Sequence, residues 1–270
     1  RGLAREGLRM PAPVRGDARV PLADKRTLLL ALEAAHGRAM LLRLGQAVVD
    51  APDEPTLTAL TAAREPADLV ARWQRLERYV HSRHRVRVLH TAPGHLRLAH
   101  VSLQPAEPPL PAEDLLVWGL LIGLLQRLGT AGLEADVDLH APAEMAMRWT
   151  PLPWSAAGPP GSHAATLSAV QATLSADPAA PWTLARLARQ LNLAPRSLQR
   201  RLAAAGSSFS AQWMQVRLAA SARLLVDGAV STVEIGYRCG FADQAHFTRS
   251  FRRHTALTPA RYRAEFAARR

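Results

Sequence analysis

The spacing of apolar positions divides the chain into a mixed first half and a helical second half. Between Val20 and Leu44, Leu28, Leu32, Ala35 and Ala39 recur on one helical face, and Pro21 stands where a helix can begin. A second helix is predicted from about Pro66 to His81. Leu69, Trp73, Leu76 and Val80 form its stripe, with Arg72, Arg75 and Arg78 on the wet side. The period then changes: Arg85-Val86-Arg87-Val88-Leu89-His90 and Leu96-Arg97-Leu98-Ala99-His100-Val101 flank Pro93-Gly94, as in a β-hairpin. Its His90, His95 and His100 fall five apart, which predicts that neighbours lie on opposite faces and do not act together. Leu115 to Leu128 is apolar nearly all round, so that helix should be buried, in a core or at a dimer contact. A short strand at Ala135 to Leu139 is expected to rejoin the hairpin.

The second half repeats one plan twice. Thr183 can cap a helix over Leu184 to Gln190, Leu191-Asn192-Leu193 turns the chain, and Pro195 opens a helix that Gly206 closes. Ser231 and Glu234 have capping-box spacing, Gly240 breaks the run, and Asp243 can cap the next helix. Small residues stand where each helix pair must cross: Ala188 before Leu198, and Gly236 before Phe247. The apolar anchors Leu198 and Leu202 match Phe247 and Phe251 at the same spacing of four, and the second turn is longer by one residue. Each pair reads as a helix-turn-helix. The helix between them, Phe209 to Val226, would span about 27 Å, against roughly 34 Å between major grooves on one face of B-DNA. The fold class is therefore α+β overall, mostly α. A small α/β N-terminal domain occupies 1–150, a linker rich in Pro and Gly 151–162, and an all-α domain 163–270.

Charge separates the same two halves. Lys and Arg exceed Asp and Glu by 2 over residues 1–162 and by 10 over 163–270, together the +12 of the chain. A domain that binds a polyanion is expected to carry such an excess. The single cysteine, Cys239, excludes an intramolecular disulfide framework and fits a reducing cytoplasm; it reads as a small buried turn residue. No signal-peptide pattern opens the sequence, and its most apolar run, Leu115 to Leu125, falls short of the roughly 20 residues a membrane-spanning helix needs. Glu33 with His36, and His81 with His84, have ligand-like spacing without the companions a metal site requires. The first half contains no Ser-His-Asp order, glycine-rich phosphate loop or Cys/His quartet.

Ile235-Gly-Tyr-Arg-Cys-Gly-Phe-Ala-Asp-Gln-Ala-His-Phe-Thr-Arg-Ser-Phe251, followed by Thr258-Pro-Ala-Arg-Tyr-Arg263, resembles the DNA-binding domain of AraC/XylS transcription factors. That resemblance covers about Ala165 to Phe266. The preceding part is similar to the regulatory domain of one branch of the family, through Ala18-Arg-Val-Pro-Leu22, Leu42-Arg-Leu-Gly45 and Asp138-Leu-His-Ala-Pro142. The resemblance implies base-reading positions at Arg196, Gln199 and Arg200 in the first unit, and at Gln244, Ala245, Thr248 and Arg249 in the second. Arginine and glutamine suit guanine and adenine edges, whereas Ala245 offers only a methyl contact. Arg201, Arg252 and Arg253 suit phosphates, and His246 and His254 suit packing or capping. The expected function is a cytoplasmic transcription regulator, more often an activator in this family, with double-stranded DNA and RNA polymerase as partners. A small-molecule effector at the N-terminal domain and a homodimer are further expectations; no cofactor, metal or membrane is implied. Control by a protein partner or by dimerisation is one alternative, and a DNA-repair alkyl acceptor using Cys239 is a remote second.

Overall fold

The computed structural model describes residues 21–49, 54–80, 83–150 and 165–267. The anticipated linker, His81 and Ala18-Arg19-Val20 lie outside these residues. Helices α1 (Leu22–His36), α2 (Arg38–Val48), α3 (Pro55–Thr61) and α4 (Pro66–Glu77) lead into strands β1 (His84–Ala92) and β2 (His95–Ser102). Then follow α5 (Pro111–Arg127), β3 (Glu134–Asp136) and β4 (Glu144–Arg148). The remainder is helical: α6 (Ala165–Ala176), α7 (Leu184–Gln190), α8 (Pro195–Ala204), α9 (Phe209–Asp227), α10 (Thr232–Arg238), α11 (Gln244–Thr255) and α12 (Pro259–Phe266).

The sheet is antiparallel in the order β1-β2-β4-β3, with Leu98 opposite both Val88 and Met145. Its apolar face, including Val86, Leu96, Leu98, Met145 and Met147, packs in one core with Trp118, Leu121, Ile122 and Leu125 of α5. A second cluster joins Leu29 and Leu32 of α1, Leu41 of α2 and Leu115 of α5. Helices α2 and α5 are nearly in backbone contact. A Cβ added at Gly119 would lie 2.1 Å from the Leu42 carbonyl oxygen, and one at Gly45 2.3 Å from that of Leu116. Glu113 at the start of α5 accepts from the Leu110 amide at 3.1 Å and pairs with Arg26 at 3.1 Å, so it closes the helix end from inside the fold.

The structure departs from the periodicity at five places. The helix expected over Val20 to Leu44 is two, because Gly37 at φ +76° turns the chain between them. Helix α3 was absent from the pattern: seven residues are too few to display a period. Arg72 is not on a wet side but 6% exposed, whereas Val80 of the expected stripe is 48% exposed. The strand near Ala135 pairs with β4, not with the hairpin, and β4 takes the place beside β2. A bulge between Val88 and His90 brings the His90 and His95 rings to 5.3 Å across the hairpin. His100 instead faces Asp114, Nδ1 to Oδ1 2.7 Å, in the interior.

Candidate nucleic-acid interface

The two helix pairs share one turn geometry. In the first, the Leu193 amide donates to the Ala188 carbonyl at 2.8 Å, and Asn192 between them has φ +53°. In the second, the Phe241 amide donates to the Gly236 carbonyl at 2.9 Å, with Gly240 at φ +79°. Asparagine and glycine are the residues that tolerate this left-handed position. Ala188 is fully buried, and a Cβ on Gly236 would stand 3.3 Å from Phe247 Cδ1, so the small residues do mark the crossings.

Capping then fixes where each outer helix starts. Thr183 Oγ1 accepts from the Arg186 amide at 3.1 Å, and Asp243 Oδ1 from the His246 amide at 2.6 Å. Ser231 Oγ accepts from the Glu234 amide at 3.2 Å, but the capping box stays open because the Glu234 carboxylate pairs with Arg238 at 2.5 Å. Helix α8 starts at Pro195, two residues after the Leu193 amide of its turn; α11 starts at Gln244, three residues after Phe241. That one-residue offset aligns Leu198 with Phe247 and Leu202 with Phe251, and all four side chains are buried.

With those anchors inward, the opposite faces are set. Arg196, Gln199, Arg200 and Arg201 are exposed on α8; Ala245, Arg249, Arg252 and Arg253 are exposed on α11, and Thr248 is half-buried. Arg200 and Arg249 occupy the same position in the two units, two residues after the first anchor. Gln244 differs from the other expected readers: it is half-buried, and its Oε1 is sealed against the α10 crossing without a hydrogen-bond partner. A turn about its side-chain torsions would release that oxygen. His246 packs edge-on to Phe241 at 5.4 Å, and His254 Nδ1 lies 2.8 Å from the Ser250 carbonyl oxygen, so both side chains have local roles.

Sequence reasoning missed the residue that joins the units. The Arg217 guanidinium carbon lies 3.8 Å from the centre of the Trp213 ring and 5.6 Å from that of Phe241, while the Trp213 indole donates to the Pro178 carbonyl at 3.1 Å. Burial pulls the Arg217 pKa down, as expected when a cation leaves water. One side chain thus touches the core of each unit through their shared helix α9. The i, i+4 spacing of Trp213 and Arg217 was the available signal. Cys239 is 1% exposed, and burial pushes its thiol up. A thiol held protonated in the interior suits packing, not alkyl transfer.

Residues 187–265 match the family described as a helix-turn-helix domain. The C-terminal domain is an AraC-type helix-turn-helix domain. The transcriptional regulator GadX of Escherichia coli is 32% identical over 86 residues, 32% of this chain and 31% of GadX. The transcriptional activator AggR of Escherichia coli is 30% identical over 97 residues, 36% of this chain and 37% of AggR. The regulator GlxA of Rhizobium meliloti is 30% identical over 141 residues, 52% of this chain and 44% of GlxA. A solved AraC-type regulator from Chromobacterium violaceum shares 28% identity over 38% of this chain and 93% of its own, with a TM-score of 0.37. The chain thus spans between about a third and under half the length of these curated relatives. The AraC-type domain coincides with the part that carries the excess positive charge. Among the described residues, no helix is long and apolar enough to cross a membrane.

Proposed function

We propose that this chain is a sequence-specific, DNA-binding transcription regulator that places two recognition helices, α8 and α11, in successive major grooves. One observation carries the reading: both helices bury matched anchors on one side and expose arginine at the matched position on the other. Arg196, Gln199 and Arg200 read bases in one groove; Ala245, Thr248 and Arg249, with Gln244 after its side chain turns out, read them in the next. Arg201, Arg252 and Arg253 contact phosphates, which sets register and affinity. The chain acts as an activator in the cytoplasm, the role printed in the name of its relative AggR. Residues 1–150 form its regulatory or dimerisation domain, 151–162 the linker and 163–270 the reading domain, which engages RNA polymerase once on DNA. Effector control through the first domain and control by dimerisation remain the two modes this architecture serves.

Selection of duplexes from a random pool, followed by hydroxyl-radical footprinting, tests the reading. The expected site is asymmetric, with two protected patches about one helical turn apart on one face. A single protected patch for the intact chain would refute two-groove binding, and failure to enrich any sequence would refute specific binding altogether.

A further inference from the structure

The two reading units are not held alike. The core beneath the first draws its buried residues from Val170 to Val216, all within the C-terminal half. Phe247, Phe251, Tyr262 and Phe266 of the second unit share a core with Ala59, Leu60, Leu69 and Val70 of α3 and α4. A run of aromatic contacts leads from the buried side of α11 to that junction. Ring centres are 5.7 Å apart for Phe247 and Phe251, 5.1 Å for Phe251 and Tyr262, and 5.1 Å for Tyr262 and Phe266. At its end the Tyr262 hydroxyl donates to the Pro55 carbonyl at 2.5 Å, across 207 residues of sequence.

Polar groups lock the same seam. Arg72 Nη1 donates to the carbonyls of Ala59 at 3.1 Å and Phe266 at 3.0 Å, while its Nε donates to Asp68 at 3.0 Å. Phe266 closes α12, so a cation from α4 satisfies a carbonyl that the helix itself leaves open and lies at its negative end. The Tyr79 hydroxyl donates to Glu265 at 2.7 Å and accepts from Arg261 at 2.8 Å. With 6% exposure, Arg72 has little water to replace these partners.

We propose that Arg72 and Tyr79 of the first domain are positioning residues for the second recognition helix, which they hold through α12 and the aromatic run, leaving the first recognition helix to its own core. The first domain thereby addresses one half of the DNA site. A change of state in α3 or α4 alters the grip of α11 and spares that of α8. This inference rests on the two-groove reading for its DNA consequence but not for its mechanical one.

The experiment uses full-length Arg72→Ala, Arg72→Lys and Tyr79→Phe chains with two readouts. The first is hydrogen exchange without DNA. In Arg72→Ala the amides of α11 and α12 should exchange at least about ten-fold faster, with those of α7 and α8 unchanged. Arg72→Lys should recover part of that protection, and Tyr79→Phe should give the same pattern more weakly. The second is the footprint on a duplex selected by the native chain, where the α11 patch should fade while the α8 patch persists. Equal change in both units, or no change in either, overturns the proposal. If Arg72→Ala fails to fold, Tyr79→Phe decides by the same criterion. If the native chain selects no duplex, the two-groove reading falls, and the exchange pattern still settles the mechanical claim.

Discussion

The first and second helix-turn-helix units have the same turn hydrogen bond, the same anchor spacing and an arginine at the same exposed position, yet their cores are made differently. Leu198 and Leu202 seat the first on neighbours no more than a few tens of residues away. Phe247 and Phe251 seat the second in a core that reaches back to α3 and α4. The local motif decides how a recognition helix is presented; the depth of the core beneath it decides what else in the molecule can move it. Caps differ in the same sense, since α11 has the Asp243 carboxylate at its start whereas α8 begins on Ala194 and Pro195 with no side-chain cap.

Six substitutions bear on this contrast. The largest effect belongs to the anchors. Phe251→Ala should cost about 3–5 kcal/mol and Leu202→Ala about 2–5 kcal/mol in denaturant unfolding. The sharper reading is native-state hydrogen exchange: Phe251→Ala should unprotect α3 as well as α12, and Leu202→Ala only α6 to α8. Loss of protection in α3 with Leu202→Ala would break the comparison. Next, Arg200→Ala and Arg249→Ala should each lose about 1–3 kcal/mol of specific binding and relax preference at one base pair. The affected pairs should lie in different halves of the site; equal loss on specific and random DNA would make these residues phosphate contacts.

Arg253→Ala should lower the slope of log K against log salt by about one while leaving base preference intact. Its counterpart in the first unit is Ala204, so the effect should map to one half of the footprint; an unchanged slope would remove it from the phosphate set. The smallest effect is expected of Gly236→Ala, which makes the second crossing resemble Ala188 in the first. The new methyl meets Phe247 at 3.3 Å, while alanine gains about 1 kcal/mol of helix propensity over glycine. The net change in stability should stay within about 1 kcal/mol, and a loss well beyond that would show the second pair to be the more tightly packed.

Much of the AraC-type domain was legible from its residues, because its signals are local. Thr183 and Asp243 cap, Gly240 takes a positive φ, and Leu and Phe at a spacing of four turn the arginines outward. The first half was legible where an element ran long enough to show its period, as in α4, the hairpin and α5. It failed at α3, which is too short, at β4, which has five residues, and at the pairing of the three-residue β3, which is set by its neighbours. Gln244 shows the limit within the candidate site itself: residue type suggests a base reader, and only packing reveals that its oxygen faces the crossing.

By itself, then, the sequence determined the paired helix-turn-helix units, their spacing along α9, the polarity of α8 and α11 and the basic character of the half that contains them. Each follows from neighbours within a few turns of chain, where backbone geometry links position to direction. Tertiary structure alone decided the fate of Arg72, Arg217 and Tyr262. All three side chains have both polar and apolar surface, so their types permit either solvent or interior. Arg72 is buried because two carbonyls and Asp68 meet its guanidinium, and Tyr262 because Pro55 accepts its hydroxyl. Those partners lie as far as 207 residues away, and only the packed fold brings them together.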